Sequence, residues 1–322
     1  MSPNKLSRHD ASAAAQATTP GPLIVHTRAE MRQQVDLARA AGKTIGVVPT
    51  MGALHAGHVS LVEAACRDCQ FVIVTIFVNP TQFGPQEDFQ KYPRTLAADV
   101  DKLAPWPVDV VYAPGVEEVY PPGYATFVEP AGAALPLEGE RRPGHFRGVA
   151  TVVLKFFQQT GADVAYFGQK DYQQTCVVRQ MVRDLDLPVR IEICPTVREA
   201  DGLALSSRNV YLSEKDRQQA LTLSRSLRKA AEFVAAGEKS TAAILAKLQP
   251  LYDAEPSIKL EYLTIVDPIT LGPVAEVSSR VVALVAARVG TTRLIDNVII
   301  EPAAAELSSQ ARLPAGGKQG AS

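Results

Sequence analysis

Apolar residues recur along the chain with two different spacings. Residues 44–49 form a short apolar run that predicts a buried strand, and residues 71–78 form a longer run of β-branched and aromatic side chains. Runs of this kind are typical of parallel strands whose two faces are both covered by helices. Residues 108–112, 164–167 and 189–194 predict further strands of the same sheet.

Segments with helical spacing alternate with these runs. Thr27 and Glu30 have the spacing of a capping box at the start of a first helix, and Gly42 supplies its stop. Further helices are predicted over residues 58–69, 148–160 and 171–185. Because strands and helices alternate, we expect an α/β fold with a Rossmann-like, mostly parallel sheet. Its functional sites should lie at the carboxyl ends of the strands.

The pattern changes after Thr196. Ser213 predicts the cap of a long helix that ends near Ala236, and another helix follows from Ser240. Alternating segments then predict the strands of a smaller, more open sheet over residues 259–266, 281–287 and 294–300. A second, α+β domain is therefore expected after the first.

The two ends of the chain lack these patterns. Residues 1–22 are rich in Ala, Ser, Gln and Thr and have no continuous apolar core, so they predict a disordered leader rather than a secretory signal. Residues 303–322 predict a disordered tail. We therefore expect a Rossmann-like domain over residues 23–196 and a smaller C-terminal lid domain over residues 197–302.

The overall charge excludes some classes of partner. Lysine and arginine (33 residues) nearly balance aspartate and glutamate (34), so the whole chain offers no general attraction to nucleic acid or to an anionic membrane. No apolar run approaches the ~20 residues that a membrane helix needs. Any anion-binding function must therefore come from a local site.

The four cysteines do not suggest a disulfide scaffold in a chain of 322 residues. Cys66 and Cys69 form a CxxC motif, which is compatible with redox or metal chemistry. They lie in a helical pattern, however, and there is no second pair, so ordinary helical thiols are the favoured interpretation. Free thiols fit a cytoplasmic location.

The sharpest chemical feature is the segment over residues 49–58, which joins a buried strand to the start of a helix. Unpaired backbone N–H groups and the helix dipole favour phosphate at such a position. Gly52 and Gly57 allow close approach of the backbone to a ligand. His55 and His58 can then donate hydrogen bonds to phosphate oxygens whose charge grows in a phosphoryl-transfer transition state.

The histidine pair allows two other interpretations. Histidines three residues apart are commonly plain surface or core residues. A zinc site is a second possibility, but the glutamate of an HExxH motif is absent and no third ligand lies nearby in the sequence. The combination of strand, two glycines and helix start favours a phosphate site.

Four motifs together resemble the pantothenate synthetase (pantoate–β-alanine ligase) family of the HIGH-motif nucleotidylyltransferase superfamily. They lie in order at residues 49–61, 77–83, 167–174 and 195–209. The resemblance extends over residues 23–302 and is far more specific than the HxGH motif alone.

The resemblance implies an ATP-dependent ligase with Mg²⁺ as cofactor. Members of the family join pantoate to β-alanine through a pantoyl-adenylate intermediate and release pyrophosphate and AMP. The first domain would bind nucleotide and pantoate. The resemblance alone also implies a homodimer. The balanced charge and the lack of a long apolar run predict no nucleic-acid or membrane partner.

Site residues follow from the same motifs. Residues expected to contact phosphate and to act in catalysis are His55, His58, Lys170, Ser206, Ser207 and Arg208. Residues expected at the nucleotide are Met51, Gly57, Gly168, Asp171 and Val197. Residues expected at pantoate are Pro49, Gln82 and Gln174, with Met51 as a second apolar wall. Asn79, beside them, is expected to bind either β-alanine or pantoate. The Ser-Ser-Arg element resembles in role the mobile KMSKS loop of class I aminoacyl-tRNA synthetases.

The roles of two further groups of residues stay open. The basic stretch over residues 141–148 fits a lid, a subunit contact or a solvated loop, and His145 is not expected to be catalytic. Asp99 and Asp101 are candidates for Mg²⁺, although solvated helix charges are the favoured interpretation. The metal ligands are therefore left unassigned.

Three alternative functions share part of this evidence. Another HIGH-motif nucleotidylyltransferase would transfer AMP to a phosphorylated substrate, but it should have more cations in its acceptor pocket than the Gln82–Gln174 pair. A metal-dependent hydrolase would need further ligands. A non-catalytic nucleotide-binding regulator would not need Lys170 and Arg208.

Overall fold

The computed structural model describes residues 21–85 and 87–302. The predicted disordered tail and all but the last two residues of the predicted leader lie outside these ranges. The described residues form two compact units that divide between Tyr211 and Leu212. The sequence places the domain boundary after Thr196, whereas the structure groups residues 197–211 with the first unit.

The first unit is built on a six-stranded sheet in which every neighbouring pair is parallel. Its strands are β1 (Leu23–Val25), β2 (Ile45–Thr50), β3 (Phe71–Ile76), β4 (Val110–Tyr112), β5 (Val164–Gly168) and β6 (Arg190–Cys194). The strand order is β1-β4-β3-β2-β5-β6. The predicted α/β, Rossmann-like class is thereby confirmed.

Seven helices accompany this sheet in the described part of the unit. They are α1 (Arg28–Ala40), α2 (Ala56–Asp68), α3 (Leu96–Leu103), α4 (Val116–Val119), α5 (Glu138–Arg141), α6 (His145–Thr160) and α7 (Tyr172–Asp184). Short 3₁₀ turns lie at Pro80–Gln82, Gly132–Ala134, Gln169–Asp171 and Ser207–Tyr211. Helix α1 has the predicted capping box, in which Thr27 and Glu30 exchange side-chain and backbone hydrogen bonds.

Apolar cores cover both faces of the sheet. Val47 and Ile73 belong to one buried cluster, and their neighbours Val48 and Val74 belong to another. Because successive strand residues point to opposite faces, a strand that is covered twice needs apolar residues at nearly every position. This explains the near-continuous apolar runs of β2 and β3.

Strand order reverses beside β2. The chain proceeds from β2 through β3 to β4 on one side, and then crosses to β5 and β6 on the other. A crevice opens at such a switch point, at the carboxyl ends of the two strands that flank it. The segments that follow β2 and β5 are therefore placed together, although more than a hundred residues separate them in the sequence.

Sequence patterns miss one strand and the one-turn helices α4 and α5, and they misplace two helix starts. Strand β1 has only three residues, two of them exposed, and is too short for its spacing to be recognised. Helix α2 begins at Ala56 because the His55 side chain supplies its cap. Helix α6 begins at His145, immediately after Gly144, which adopts a positive φ of 81°.

The second unit is an α+β domain, as predicted. It contains α8 (Glu214–Ala235), α9 (Thr241–Asp253), β7 (Ile258–Val266), β8 (Val281–Val289) and β9 (Thr292–Ile300). The three strands form an antiparallel sheet in the order β7-β8-β9. The Ser213 side chain caps α8 by accepting from the Asp216 backbone N–H. Among the residues described in the two units, no helix has the length and apolar character to cross a membrane.

Candidate active site

A cavity of about 210 Å³ lies in the first unit, at the carboxyl ends of the central strands. The predicted site residues all line it: Pro49, Met51, His55, Gly57, His58, Asn79, Gln82, Gly168, Lys170, Asp171, Gln174, Val197, Ser206, Ser207 and Arg208. They come from four separate segments of the chain. Folding therefore brings together the four motifs that the sequence presents apart.

The loop between β2 and α2 is stabilised by a buried carboxylate. Asp99 has no exposed surface, and its Oδ1 accepts a hydrogen bond from the Leu54 backbone N–H at 2.7 Å. Its Oδ2 accepts from Ala53 N at 2.9 Å and from Thr95 Oγ1 at 3.1 Å. The interpretation of Asp99 as a solvated charge is therefore wrong, because the residue fixes the loop that precedes His55.

Asp101 differs from Asp99 in its surroundings. It is exposed on α3, so the interpretation as a solvated helix charge fits it. Neither aspartate lines the cavity. Within the described ranges, no group of three or more His, Cys, Asp or Glu side chains is arranged to bind a metal ion.

Backbone hydrogen bonds determine the tautomers of the two cavity histidines. His55 Nδ1 accepts from the Gly57 backbone N–H at 3.1 Å, and His58 Nδ1 accepts from the His55 N–H at 3.3 Å. A ring nitrogen that accepts carries no proton, so each neutral imidazole is protonated at Nε2. Both rings therefore offer an Nε2–H donor.

Gly57 has a packing role as well as its predicted role at the nucleotide. A Cβ atom at this position would lie 2.9 Å from His55 Cε1 and 3.0 Å from His55 Nδ1. The space left by the missing side chain is therefore occupied by the His55 ring. The ring centroids of His55 and His58 are 4.1 Å apart.

Burial keeps the two histidines neutral near pH 7. Loss of hydration lowers the pKa of His55 to about 4, with a further contribution from the charge of Lys170. Loss of hydration and the neighbouring His55 lower the pKa of His58 to about 3. The free enzyme therefore presents uncharged hydrogen-bond donors in the cavity.

The segment after β5 supplies a cation, a carboxylate and an open backbone. Lys170 Nζ lies 3.6 Å from Asp171 Oδ1. Loss of hydration raises the pKa of Asp171, but the charges of Lys170 and Arg208 outweigh this effect, and the pKa is lowered overall. A Cβ at Gly168 would have no atom within 4 Å, so a ligand has room to approach there.

Adjacent glutamines on α7 have different environments. Gln174 lines the cavity, as predicted. Gln173 is buried beneath it, where its Oε1 accepts from the Glu138 N–H and its Nε2 donates to the carbonyls of Ala133 and Pro136. Gln173 therefore stabilises the chain around residues 133–138.

Arg208 is oriented by an ion pair at the cavity wall. Its Nε and Nη2 atoms donate to the two carboxylate oxygens of Asp88 at 3.1 and 2.9 Å. The hydroxyl groups of Ser207 and Tyr92 lie 3.3 Å apart. The Ser-Ser-Arg element is thereby in contact with the segment that follows β3.

Gln82 and Asn79 lie on the β3 side of the cavity. The Asn79 amide is 1% exposed and donates to Gln82 Oε1 at 3.1 Å. Gln82 Nε2 lies 2.9 Å from Met51 Sδ. These contacts orient the Gln82 amide with its oxygen towards Asn79 and its N–H₂ group towards Met51.

Several cavity residues are absent from the predicted site. Helix α6 supplies an apolar wall of Val149, Val152, Val153 and Phe156. Arg142 and His145 also line the cavity and are partly buried, so a solvated loop is wrong for these two. The helical spacing of residues 148–160 predicts burial but cannot distinguish a core from a pocket wall.

The four cysteines, all within the described ranges, are free thiols. Cys66 and Cys69 are not cavity residues, and burial raises the pKa of both thiols, that of Cys66 to about 11. Cys69 Sγ lies 3.4 Å from the Tyr166 hydroxyl. These protonated thiols match the prediction of ordinary helical cysteines.

Fold and site together define a class of enzyme. A parallel sheet with HxGH at its switch point, imidazole donors and facing cations is the arrangement of a HIGH-motif nucleotidylyltransferase. The family model for "Pantoate-beta-alanine ligase" matches residues 23–299. The chain belongs to this family.

Relatives and solved structures agree with this membership. The chain is 52% identical over 279 residues to the pantothenate synthetase of a Roseiflexus species, a match covering 86% of this chain and 99% of the relative. The Moorella thermoacetica pantothenate synthetase is 51% identical over 278 residues, covering 86% and 98%.

Two crystal structures extend the comparison to the fold. Pantothenate synthetase from Thermus thermophilus is 47% identical, with a TM-score of 0.82 and coverage of 87% of this chain and 100% of that one. Pantoate-β-alanine ligase from Francisella tularensis is 36% identical, with a TM-score of 0.70 and coverage of 86% and 97%. The Francisella structure is described as a complex with β-γ ATP and β-alanine.

Proposed function

We propose that this chain joins pantoate to β-alanine, using ATP, through a pantoyl-adenylate intermediate. The observation that carries this proposal is the composition of one cavity. The cavity contains two imidazole donors and two cations, Lys170 and Arg208. It also contains an apolar wall and the side-chain amides of Gln82 and Gln174. A cavity of this kind suits a polyphosphate beside a small, partly apolar hydroxy acid. Membership of the ligase family supports the same assignment.

In the first step, a pantoate carboxylate oxygen attacks the α-phosphorus of ATP. A new phosphorus–oxygen bond forms, and the bond to pyrophosphate breaks. The step requires in-line positioning and neutralisation of charge rather than a protein nucleophile. We assign these tasks to the Nε2–H donors of His55 and His58, to Lys170 and Arg208, and to the hydroxyl groups of Ser206 and Ser207.

Nucleotide binding is assigned to the segments that flank the phosphate site. Gly168 leaves space for the nucleotide to approach the backbone, and ionised Asp171 is suited to accept from ribose hydroxyls. The Val197 backbone, Met51 and Gly57 complete the proposed nucleotide contacts. Lys170 Nζ and Asp171 Oδ1 are 3.6 Å apart, which supports adjacent roles for them at phosphate and at ribose.

Pantoate binding is assigned to uncharged groups. Gln82 and Gln174 can bind carboxylate and hydroxyl oxygens without forming an ion pair that would reduce the nucleophilicity of the carboxylate. Asn79 supports Gln82 by its hydrogen bond. Pro49 and Met51 line the same cavity, and we assign them as apolar walls for the gem-dimethyl group.

In the second step, the uncharged amine of β-alanine attacks the acyl carbonyl of pantoyl adenylate. A carbon–nitrogen bond forms, the carbon–oxygen bond to AMP breaks, and the amine loses a proton. The apolar wall from α6 limits water at the mixed anhydride, which protects it from hydrolysis.

Mg²⁺ is proposed as the companion of ATP. The described residues contain no metal-binding cluster, so the protein is expected to supply few of its ligands and the phosphate oxygens and water most of them. Bound in this way, Mg²⁺ would neutralise charge on the departing pyrophosphate. Asp171 is the acidic residue of the cavity lining, but its proposed role is at the ribose, so no protein ligand of Mg²⁺ is assigned.

A cytoplasmic homodimer is proposed as the working state of the enzyme. Four free thiols fit a reducing compartment, and the dimer follows from family resemblance. Sedimentation equilibrium of the full chain measures the dimer directly, and a monomer at micromolar concentration would exclude it.

The deciding experiment is pantoate-dependent exchange of radiolabelled phosphorus between pyrophosphate and ATP, with Mg²⁺ and without β-alanine. Exchange reports the first step alone. We expect exchange in the wild type and a loss of about 10²-fold in His55→Ala, which removes a phosphate donor. His26→Ala changes an exposed histidine outside the cavity and serves as the control. A folded wild type with no exchange contradicts the adenylate mechanism. Exchange that requires a phosphorylated acceptor in place of pantoate points to the alternative nucleotidylyltransferase.

A further inference from the structure

A network of charged and polar side chains contacts the Gln82 backbone at the cavity wall and is assigned no part in the steps above. Arg142 donates through Nε and Nη2 to the two oxygens of Glu87 at 2.6 and 2.9 Å. Its Nη1 atom lies 3.0 Å from His145 Nε2, and His145 Nδ1 lies 2.8 Å from the Gln82 carbonyl oxygen. Arg142 and Glu87 are only 18% and 25% exposed.

The direction of each hydrogen bond in this network is determined. A guanidinium group can only donate, so His145 Nε2 must accept from Arg142. The proton of the neutral ring therefore resides on Nδ1, which donates to the Gln82 carbonyl. Burial and the charge of Arg142 lower the pKa of His145 to about 4, which agrees with a neutral ring.

Helix α6 also contacts the turn at Pro80–Gln82, which contains Gln82. A Cβ at Gly148 would lie 2.3 Å from the Thr81 carbonyl oxygen and 2.7 Å from Gln82 N, so helix α6 contacts the turn backbone directly. Asn79 Nδ2 donates both to the Gly148 carbonyl and to Gln82 Oε1, each at 3.1 Å. Contacts from the start of α6 therefore constrain the backbone and, through Asn79, the amide of Gln82.

We propose that Glu87, Arg142 and His145 are positioning residues that fix the Gln82 amide for pantoate. This inference rests on the proposed role of Gln82. With Oε1 engaged by Asn79, Gln82 offers its N–H₂ group to the substrate, and a pantoate oxygen accepts. If the turn at Pro80–Gln82 shifted or the Gln82 side-chain amide rotated, Gln82 Oε1 would face the substrate carboxylate instead. In this orientation, Gln82 favours a substrate that has a hydrogen-bond acceptor opposite its N–H₂ group.

The test compares two substitutions of His145. His145→Ala removes the closer of two donors to the Gln82 carbonyl, the other being Arg142 Nη2 at 3.4 Å. We expect the pantoate KM to rise about 10-fold while the ATP KM changes less than about 2-fold. His145→Asn keeps an amide N–H near the position of Nδ1 and is expected to restore most of the pantoate affinity. The exposed-residue variant His26→Ala is the matched control.

A double-mutant cycle tells positioning from general destabilisation. If His145 acts through Gln82, then His145→Ala has no further effect on the pantoate KM in a Gln82→Ala background. Additive effects, or equal changes in the KM values of pantoate and ATP, would overturn the proposal. If His145→Ala does not fold, Glu87→Gln makes the same comparison with His145 intact.

These outcomes are separate from a failure of the proposed function. Wild-type exchange at saturating pantoate establishes the adenylate step before any variant is compared. If the wild type shows no exchange, the function itself is at fault. If the wild type shows exchange and His145→Ala keeps the wild-type pantoate KM, the positioning role alone is excluded.

Discussion

The spacing of His55 and His58 follows from how their rings bind the backbone. Each Nδ1 atom accepts a backbone N–H at the start of α2, so each Nε2–H group is left to donate. Gly57 makes this possible because any side chain there would overlap the His55 ring. The motif HxGH therefore encodes two oriented donors, together with the cap of the helix that carries them.

Asp99 provides a test of loop positioning at the scale of one residue. Asp99→Asn replaces one acceptor oxygen with a donor that faces backbone N–H groups, since both oxygens accept in the native loop. We expect unfolding free energy to fall by about 1–3 kcal/mol and exchange to fall about 10-fold or more. Urea unfolding and the exchange assay measure the two effects.

Asp101→Asn is the matched control, because Asp101 lies on the same helix and is exposed. It should leave the unfolding midpoint and exchange near their wild-type values. An Asp99→Asn enzyme with wild-type exchange would show that the loop does not need its buried acceptor. A loss restored by raised Mg²⁺ would instead favour the metal role that the sequence left open.

At the scale of elements, the sequence predicts periodic features well and long-range contacts poorly. The strands β2 and β3 and the helices α2 and α7 follow from spacing, and the motifs that border them identify the cavity. Arg142 and His145 cannot be recognised as site residues in this way, because only their contacts with Glu87 and Gln82 distinguish them from solvated basic residues. Those partners lie more than fifty positions away in the sequence.

The division of the chain illustrates the same limit. The sequence pattern changes after Thr196, where regular strands of the first sheet end. Residues 197–211 nevertheless group with the first unit: Arg208 pairs with Asp88, and the Ser207 and Tyr92 hydroxyl groups lie 3.3 Å apart. Periodicity cannot reveal this, because the segment contains neither a long helix nor a long strand.

Substitution of Asp88 tests whether its ion pair with Arg208 orients the Ser-Ser-Arg motif for ATP. Asp88→Asn removes the charge that orients Arg208, and we expect the ATP KM to rise about 5-fold or more while the pantoate KM stays constant. Steady-state kinetics with each substrate varied in turn measures this difference. Asp36→Asn, on the exposed face of α1, is the control. A lower ATP KM in Asp88→Asn would show instead that Asp88 competes with phosphate for Arg208.

At the scale of the whole molecule, a formal net charge of −1 contrasts with the cations gathered at one cavity. Lys170, Arg208 and Arg142 line it, and the two arginines are paired with carboxylates on the segment that follows β3. Under the proposed function, these side chains supply local phosphate contacts without the nonspecific anion binding that a basic surface brings. The neutral histidines add hydrogen bonds there without adding charge.

These partly buried histidines make the stability of the first unit depend on pH. The pKa values of His55 and His145 are lowered to about 4 and that of His58 to about 3, against 6.5 in the unfolded chain. At pH values between the folded and unfolded pKa values, these histidines bind more protons in the unfolded chain than in the folded chain. The stabilising contribution is therefore complete above pH 6.5 and declines as the pH falls towards 4.

The charged groups around the His55 and His145 rings are consistent with the lowered pKa values. Lys170 and Lys102 oppose protonation of His55, as Arg142 does for His145, while Asp171, Glu87 and Glu138 favour it without reversing the lowered pKa. We expect the urea midpoint of the ligand-free protein to decrease steadily from pH 7 to about pH 4.5. The double variant His55→Asn/His58→Asn should show a shallower decrease, and Asp36→Asn the wild-type slope. A midpoint that rises on acidification would mean that the rings are charged in the folded protein, and then His55 and His58 would meet ATP as cations rather than as neutral donors.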